Sequence, residues 1–115
     1  MQIQGVMAMV LVQNIDRALR FYRDILGFTI QEEWEDSVLF AEGVGLHISP
    51  ESLPELNLNI NSVMITLFVE DVEKTFRELT EKGVAFFLPP TRESGAFFAT
   101  FRDTENNLLQ LMESN

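Results

Sequence analysis

The chain has 115 residues, of which 46% are apolar and 23% charged, the balance of one globular domain and not of a disordered segment. Its 8 Lys+Arg stand against 18 Asp+Glu, a net charge of −10, which repels phosphate backbones, argues against nucleic acid as a partner and would attract cationic ligands. There is no cysteine, so no disulfide framework and no thiolate ligand or nucleophile. No apolar run approaches the roughly 20 residues of a membrane span, and the first residues lack the pattern of a signal peptide; a cytoplasmic protein is expected.

In chain order, residues 6–12 form a short apolar run, which predicts a buried strand. Asn14 offers a helix N-cap and Asp16 an acid in the first turn, where the helix dipole favours one. Ile15, Leu19, Tyr22 and Leu26 follow at helical spacing and share one face, and Gly27 provides a stop. Strands are expected over 28–34, 38–41 and 46–49, with a polar turn at Glu35-Asp36 and another at 43–45. Phe21 and Tyr22 fall toward the helix–sheet core and read as structural.

The second half repeats this grammar. A strand is expected over 63–69, then the cap Asp71, the apolar face Val72, Phe76 and Leu79, and the stop Gly83. Strands over 84–88, 96–102 and 108–113 complete it. Val12 matches Val69, Asn14 matches Asp71, Ile15 matches Val72 and Leu19 matches Phe76, all at an offset of 57, the mark of an internal duplication. The expected organisation is a single α+β domain, with module one at 1–50, a linker at 51–62 that contains Pro54, and module two at 63–115. Each helix would cover one face of a mixed, curved sheet, and the two uncovered faces would enclose an open cup.

Three segments resemble the vicinal-oxygen-chelate superfamily, which includes glyoxalase I, extradiol dioxygenases, fosfomycin-modifying enzymes and bleomycin resistance proteins. They are residues 12–28, with Phe21-Tyr22 and Leu26-Gly27-Phe28; residues 68–73 with the later Glu81-Lys82-Gly83-Val84; and residues 101–111. In the last, Thr104 and Asn106 stand where the family usually has proline and glycine, and Asn106 can still take a left-handed turn position. The resemblance implies tandem βαβββ modules forming a cup, and homodimers in chains of this length.

Enzymes of that family hold a divalent metal with inner-strand side chains, and the matching positions here are Met7, His47, Met64 and Gln110. Thioethers are soft, uncharged donors. One imidazole and one amide do not make a site for a hard or borderline ion, so no metal and no cofactor are expected. Strand alternation puts Met7, Met9 and Leu11 on the cup side, with Met64, Thr66 and Phe68 opposite, joined by Phe98, Thr100, Gln110 and Met112. Trp34 at the acidic turn Glu32, Glu33, Glu35, Asp36 is a candidate rim residue, although a solvated hairpin tip explains that run as well. The candidate ligand-binding set is therefore Met7, Met9, Trp34, Phe40, His47, Met64, Thr66, Phe98, Thr100, Gln110 and Met112, with His47 the one acid/base candidate. Met and Phe in such a place equally suit a plain core or dimer interface. Three functions stay open: a metal-free binder of a small aromatic or cationic molecule, which is preferred; a lyase, isomerase or dioxygenase with an atypical site; and a structural or regulatory dimer.

Overall fold

The computed structural model describes residues 1–4, 7–48, 64–93 and 95–113. The expected linker at 51–62, and Val6, Ser49 and Val63 at strand ends, lie outside the described residues. The chain divides into two compact units, Met1–Leu58 and Asn59–Asn115.

In the first unit the elements are β1 (Ala8–Val12), α1 (Ile15–Arg20), a π-helical turn (Phe21–Ile25), β2 (Ile30–Glu33), β3 (Ser37–Phe40) and β4 (Val44–Ile48). They build one open mixed sheet of order β1-β4-β3-β2, in which β1 runs parallel to β4 and the other pairs are antiparallel. Asn14 caps α1 as expected: its Oδ1 accepts from the Arg17 backbone N–H at 3.0 Å. The helix packs against β4, and Val12, Val38 and Leu46 on the same side of the sheet are nearly or wholly buried. Tyr22, fully buried, lies 5.5 Å from Phe28 and 5.7 Å from Phe40, with Phe28 and Phe40 5.3 Å apart. Such ring pairs contribute about 0.5–1.5 kcal/mol each beyond the area they bury.

The second unit repeats the order: β5 (Met64–Val69), α2 (Val72–Glu81), β6 (Phe86–Glu93), β7 (Ala96–Arg102) and β8 (Leu108–Glu113). Its sheet has order β5-β8-β7-β6, again with one parallel pair, β5 on β8. Asp71 caps α2 by accepting from the Lys74 N–H at 3.1 Å, and the Glu113 carboxylate accepts from the Val72 N–H at 3.3 Å. The core faces α2 through Phe86 and Phe101, with Phe76 stacked edge-on to Phe86 at 4.7 Å. Ala99, Phe101, Leu109 and Leu111 are buried on that side.

Three local expectations are revised. The first helix is not α-helical throughout. Leu26 N–H reaches back five residues to the Phe21 carbonyl at 3.0 Å, whereas Lys82 in the second unit reaches back four to Glu78. The cause is one surplus residue: Gly27 lies thirteen positions after Asn14, but Gly83 lies only twelve after Asp71. A π turn absorbs a single inserted residue without displacing the chain beyond it, so both stop glycines reach their positive φ, 83° and 93°. Second, β4 begins at Val44, so Gly45 is a strand residue and not part of a turn. Third, β6 continues through Pro89 and Pro90. Proline removes a ladder donor, but β6 is the sheet edge, and its pairing with β7 shifts register between Leu88 and Thr91, where the prolines sit.

Candidate functional site

The helix-distal face of the first sheet is set by register. Leu39 pairs with Gly45 and Gly45 with Met9, while Ser37 pairs with His47 and His47 with Leu11. Cross-strand partners share a face, so these residues lie opposite Val38 and Leu46. Gly45 serves a close approach: a Cβ there would stand 2.6 Å from Met9 Sδ and 2.6 Å from the Val38 carbonyl oxygen. The Met9 thioether thus covers the space above Gly45. Next to it, Ser37 Oγ lies 2.7 Å from His47 Nδ1 and donates to Asp36 Oδ1 at 3.0 Å. Backbone bonds hold this chain in place, with Ile48 N–H donating to the Asp36 carbonyl at 3.0 Å and Trp34 N–H to the Ser37 carbonyl at 2.8 Å. Ser37 is a further candidate, which the sequence alone did not single out. The signal was present, since Ser37 and His47 each lie five positions from Glu42 at the centre of the β3–β4 hairpin.

In the second unit the helix-distal face carries Thr66, Gln110 and Thr100 in one cross-strand row, and Phe68, Met112 and Phe98 in the next. Gln110 Nε2 donates to Thr66 Oγ1 at 3.3 Å, a contact that fixes both on one face. Thr100 and Gln110 are buried, whereas Met64 and Phe68 on the edge strand are 42% and 68% exposed. All six of the second unit's expected site residues therefore belong to this face.

The first unit divides its candidates. Met9 and His47 share the helix-distal face. Met7 immediately precedes β1 and is exposed, and Trp34 is exposed in the β2–β3 hairpin among Glu32, Glu33, Glu35 and Asp36. Phe40 does not belong with them: it lies in the helix-side core against Tyr22 and Phe28. The correction follows from alternation, because Phe40 has the parity of Val38, not of Ser37 and Leu39.

Register also tests the family's metal positions. Thr66, the repeat counterpart of Met9, pairs with Gln110, while Met9 pairs with Gly45. The first-module counterpart of Gln110 is therefore Gly45, and His47 corresponds to Met112, two residues farther along the strand. The set becomes Met7, Gly45, Met64 and Gln110: two thioethers, one amide and one position without a side chain. That donor set does not fit a divalent metal of the kind the family uses. Among the described residues no group of three His, Asp or Glu side chains is placed to hold one elsewhere.

Two other features of the surface stand apart from these faces. A polar dish of about 540 Å³ at the start of α2 is lined by Glu70, Asp71, Lys74, Thr75, Glu78 and Glu113. Two of its carboxylates, Asp71 and Glu113, already cap the helix. On the π turn, the exposed Arg23 and Asp24 pair at 2.7 Å, and their hydrogen bond raises the guanidinium pKa and lowers that of the carboxyl.

The family model for the Glyoxalase/Bleomycin resistance protein/Dioxygenase superfamily matches residues 5–111. The uncharacterized protein YurT of Bacillus subtilis (strain 168) is 31% identical, over 94% of this chain and 97% of its own length. Among solved structures, TnmS3, an antibiotic binding protein from Streptomyces sp. CB03234, matches with a TM-score of 0.76 over 100% of this chain and 99% of its own, at 21% identity. Lactoylglutathione lyase from Agrobacterium tumefaciens matches with a TM-score of 0.77 over 97% of this chain and 95% of its own, at 17% identity. Those two likenesses concern the fold, which one protein uses to bind and the other carries as a lyase. With two βαβββ units in tandem and a family match spanning nearly its whole length, the chain belongs to the glyoxalase/bleomycin resistance protein/dioxygenase superfamily.

Proposed function

We propose that this protein is a metal-free, dimeric, cytoplasmic binder of a small, partly aromatic or cationic molecule, acting by sequestration and not by catalysis. The observation that carries the reading is the pairing of Gly45 with Met9 against that of Gln110 with Thr66. It leaves the family's metal positions with two thioethers, one neutral amide and one position without a side chain. Sequestration needs apolar, adaptable surface, and Met9, Met64, Phe68, Phe98 and Met112 on the helix-distal faces supply it. The net charge of −10 favours a cation. The antibiotic-binding relative TnmS3 has the same fold. No described helix is long and apolar enough to cross a membrane.

Metal analysis of protein purified without chelators tests the first half. The expected content is well below one divalent ion per chain, and one tightly held ion per chain overturns the reading in favour of a lyase- or dioxygenase-type site. Thermal melting with a planar aromatic cation such as acridine orange tests the second half. At a concentration 100 times Kd a ligand adds about 2.7 kcal/mol, which raises Tm by roughly 10 °C in a chain of this size. Unchanged melting across a panel of such cations favours the structural dimer, and sedimentation equilibrium reads the oligomeric state directly.

A further inference from the structure

We infer that Asp36 and Ser37 hold His47 in its Nδ1–H tautomer and so present Nε2 as a hydrogen-bond acceptor for a ligand O–H or N–H group. The inference deepens the small-molecule reading above by naming the chemistry the ligand must offer, and its tautomer half stands without that reading. A single hydroxyl proton decides the tautomer. Ser37 Oγ has two close neighbours, Asp36 Oδ1 at 3.0 Å and His47 Nδ1 at 2.7 Å. A carboxylate only accepts. The serine proton must therefore go to Asp36, or two lone pairs would face each other at hydrogen-bond distance. Ser37 Oγ then has only lone pairs to offer His47, and Nδ1 must carry the hydrogen that bridges them. In the neutral ring this leaves Nε2 without a hydrogen and with its lone pair outward.

Nε2 has no hydrogen-bond partner among the described residues. His47 is half-buried, and no described side-chain nitrogen or oxygen is both buried and unpartnered. His47 lies on the helix-distal face, in the row next to the one where the Met9 thioether covers Gly45. An acceptor bordered by apolar sulfur suits a phenol hydroxyl or the N–H of an aromatic cation, and rejects the same ring bearing only acceptors. Such rejection leaves a polar nitrogen unpaired against the ligand, which is how sites discriminate by hydrogen bonding.

Nitrogen-15 NMR of the ring reads the tautomer directly, and His47 is the only histidine. At about pH 9, above the range in which ordinary imidazole titrates, the native protein should show Nδ1 protonated and Nε2 bare. Asp36→Ala, at an exposed position, frees the serine hydroxyl to donate to Nδ1 and should move the proton to Nε2. Ser37→Ala should do the same by removing the acceptor. A native protein with Nε2–H, or an Asp36→Ala spectrum unchanged from native, overturns the inference. Phenol and its methyl ether anisole then test the donor requirement. Phenol should bind tighter by about fivefold to tenfold, the worth of one hydrogen bond, and the preference should vanish in Asp36→Ala. Equal binding of the two by the native protein overturns the donor requirement. Binding of neither overturns it together with the small-molecule reading, while the tautomer stands as measured.

Discussion

The two modules share caps, stop glycines, strand order and the single parallel pair, and they differ in what each tolerates. Module two keeps the shorter spacing: a regular ten-residue α2, twelve positions from cap to glycine. Module one carries a thirteenth and places it in the π turn at Phe21–Ile25. The helix-distal faces diverge further, one holding a charge-linked histidine and a side-chain-free glycine, the other a threonine–glutamine pair. Duplication here preserves the local signals that build the scaffold and leaves the helix-distal face of each sheet free to change its chemistry.

Single-residue deletions should break the likeness most sharply. Removing Arg77 from α2 turns every later helix residue by about 100°, one residue of α-helix, and swings the buried Leu79 away from the core. Losing a core leucine costs about 2–5 kcal/mol, so denaturant melts should show a large fall in midpoint or no folded baseline. Removing Asp24 from the π turn instead takes out the surplus residue and lets that turn close as ordinary α-helix. Its midpoint should fall much less. Equal loss from both deletions would contradict the insertion account.

The last turns of the modules give the next contrast. In module two Asp103, buried, accepts from the Glu105 and Asn107 backbone N–H groups, both at 2.8 Å, and from Asn107 Nδ2 at 3.0 Å. This lets Asn106 take φ 70° where the family has glycine. In module one the nearest analogue is a single bond, Thr29 N–H donating to the exposed Glu42 carboxylate at 2.9 Å. Asp103→Ala strands several donors and should cost about 3 kcal/mol, against about 0.5–1 kcal/mol for Glu42→Ala. Urea midpoints of the two variants measure the ratio.

What the sequence made legible was local. Asn14 and Asp71 as caps, Gly27 and Gly83 as stops and the offset of 57 are each readable within a dozen residues, because capping and left-handed glycine are local physics. The alternation on β5 and β8 was also legible, since both strands run regularly through their apolar pattern. Most of the misreadings depend on partners outside the local pattern. The π turn escapes notice because Ile15, Leu19, Tyr22 and Leu26 fit ordinary helical spacing, and only the comparison with module two exposes the extra residue. Gly45 resembles a turn residue until Met9 is seen above it. Phe40 could have been assigned by parity with Val38, but the aromatic cluster that claims it draws on the π turn and on Phe28. Ser37 needed the hairpin centre to be placed before it could be set opposite His47.

Gly45 offers the finest test of the comparison, because its counterpart Gln110 bears a full side chain. Gly45→Ala puts a methyl 2.6 Å from both Met9 Sδ and the Val38 carbonyl oxygen. Overpacking of this kind costs about 1–3 kcal/mol. Gln110→Ala, by contrast, loses one long hydrogen bond to Thr66 and should cost about 1 kcal/mol. The two obstacles at Gly45 differ in kind: a thioether can rotate aside, whereas a strand carbonyl cannot move without disturbing the β3–β4 pairing. A double-mutant cycle with Met9→Ala separates them. If the thioether alone fills the space, the second substitution should cancel the cost of the first. The 2.6 Å approach to the Val38 oxygen predicts that only part is recovered. Full recovery in the double variant would mean that β4 shifts freely, and that Gly45 is kept for Met9 and not for the sheet.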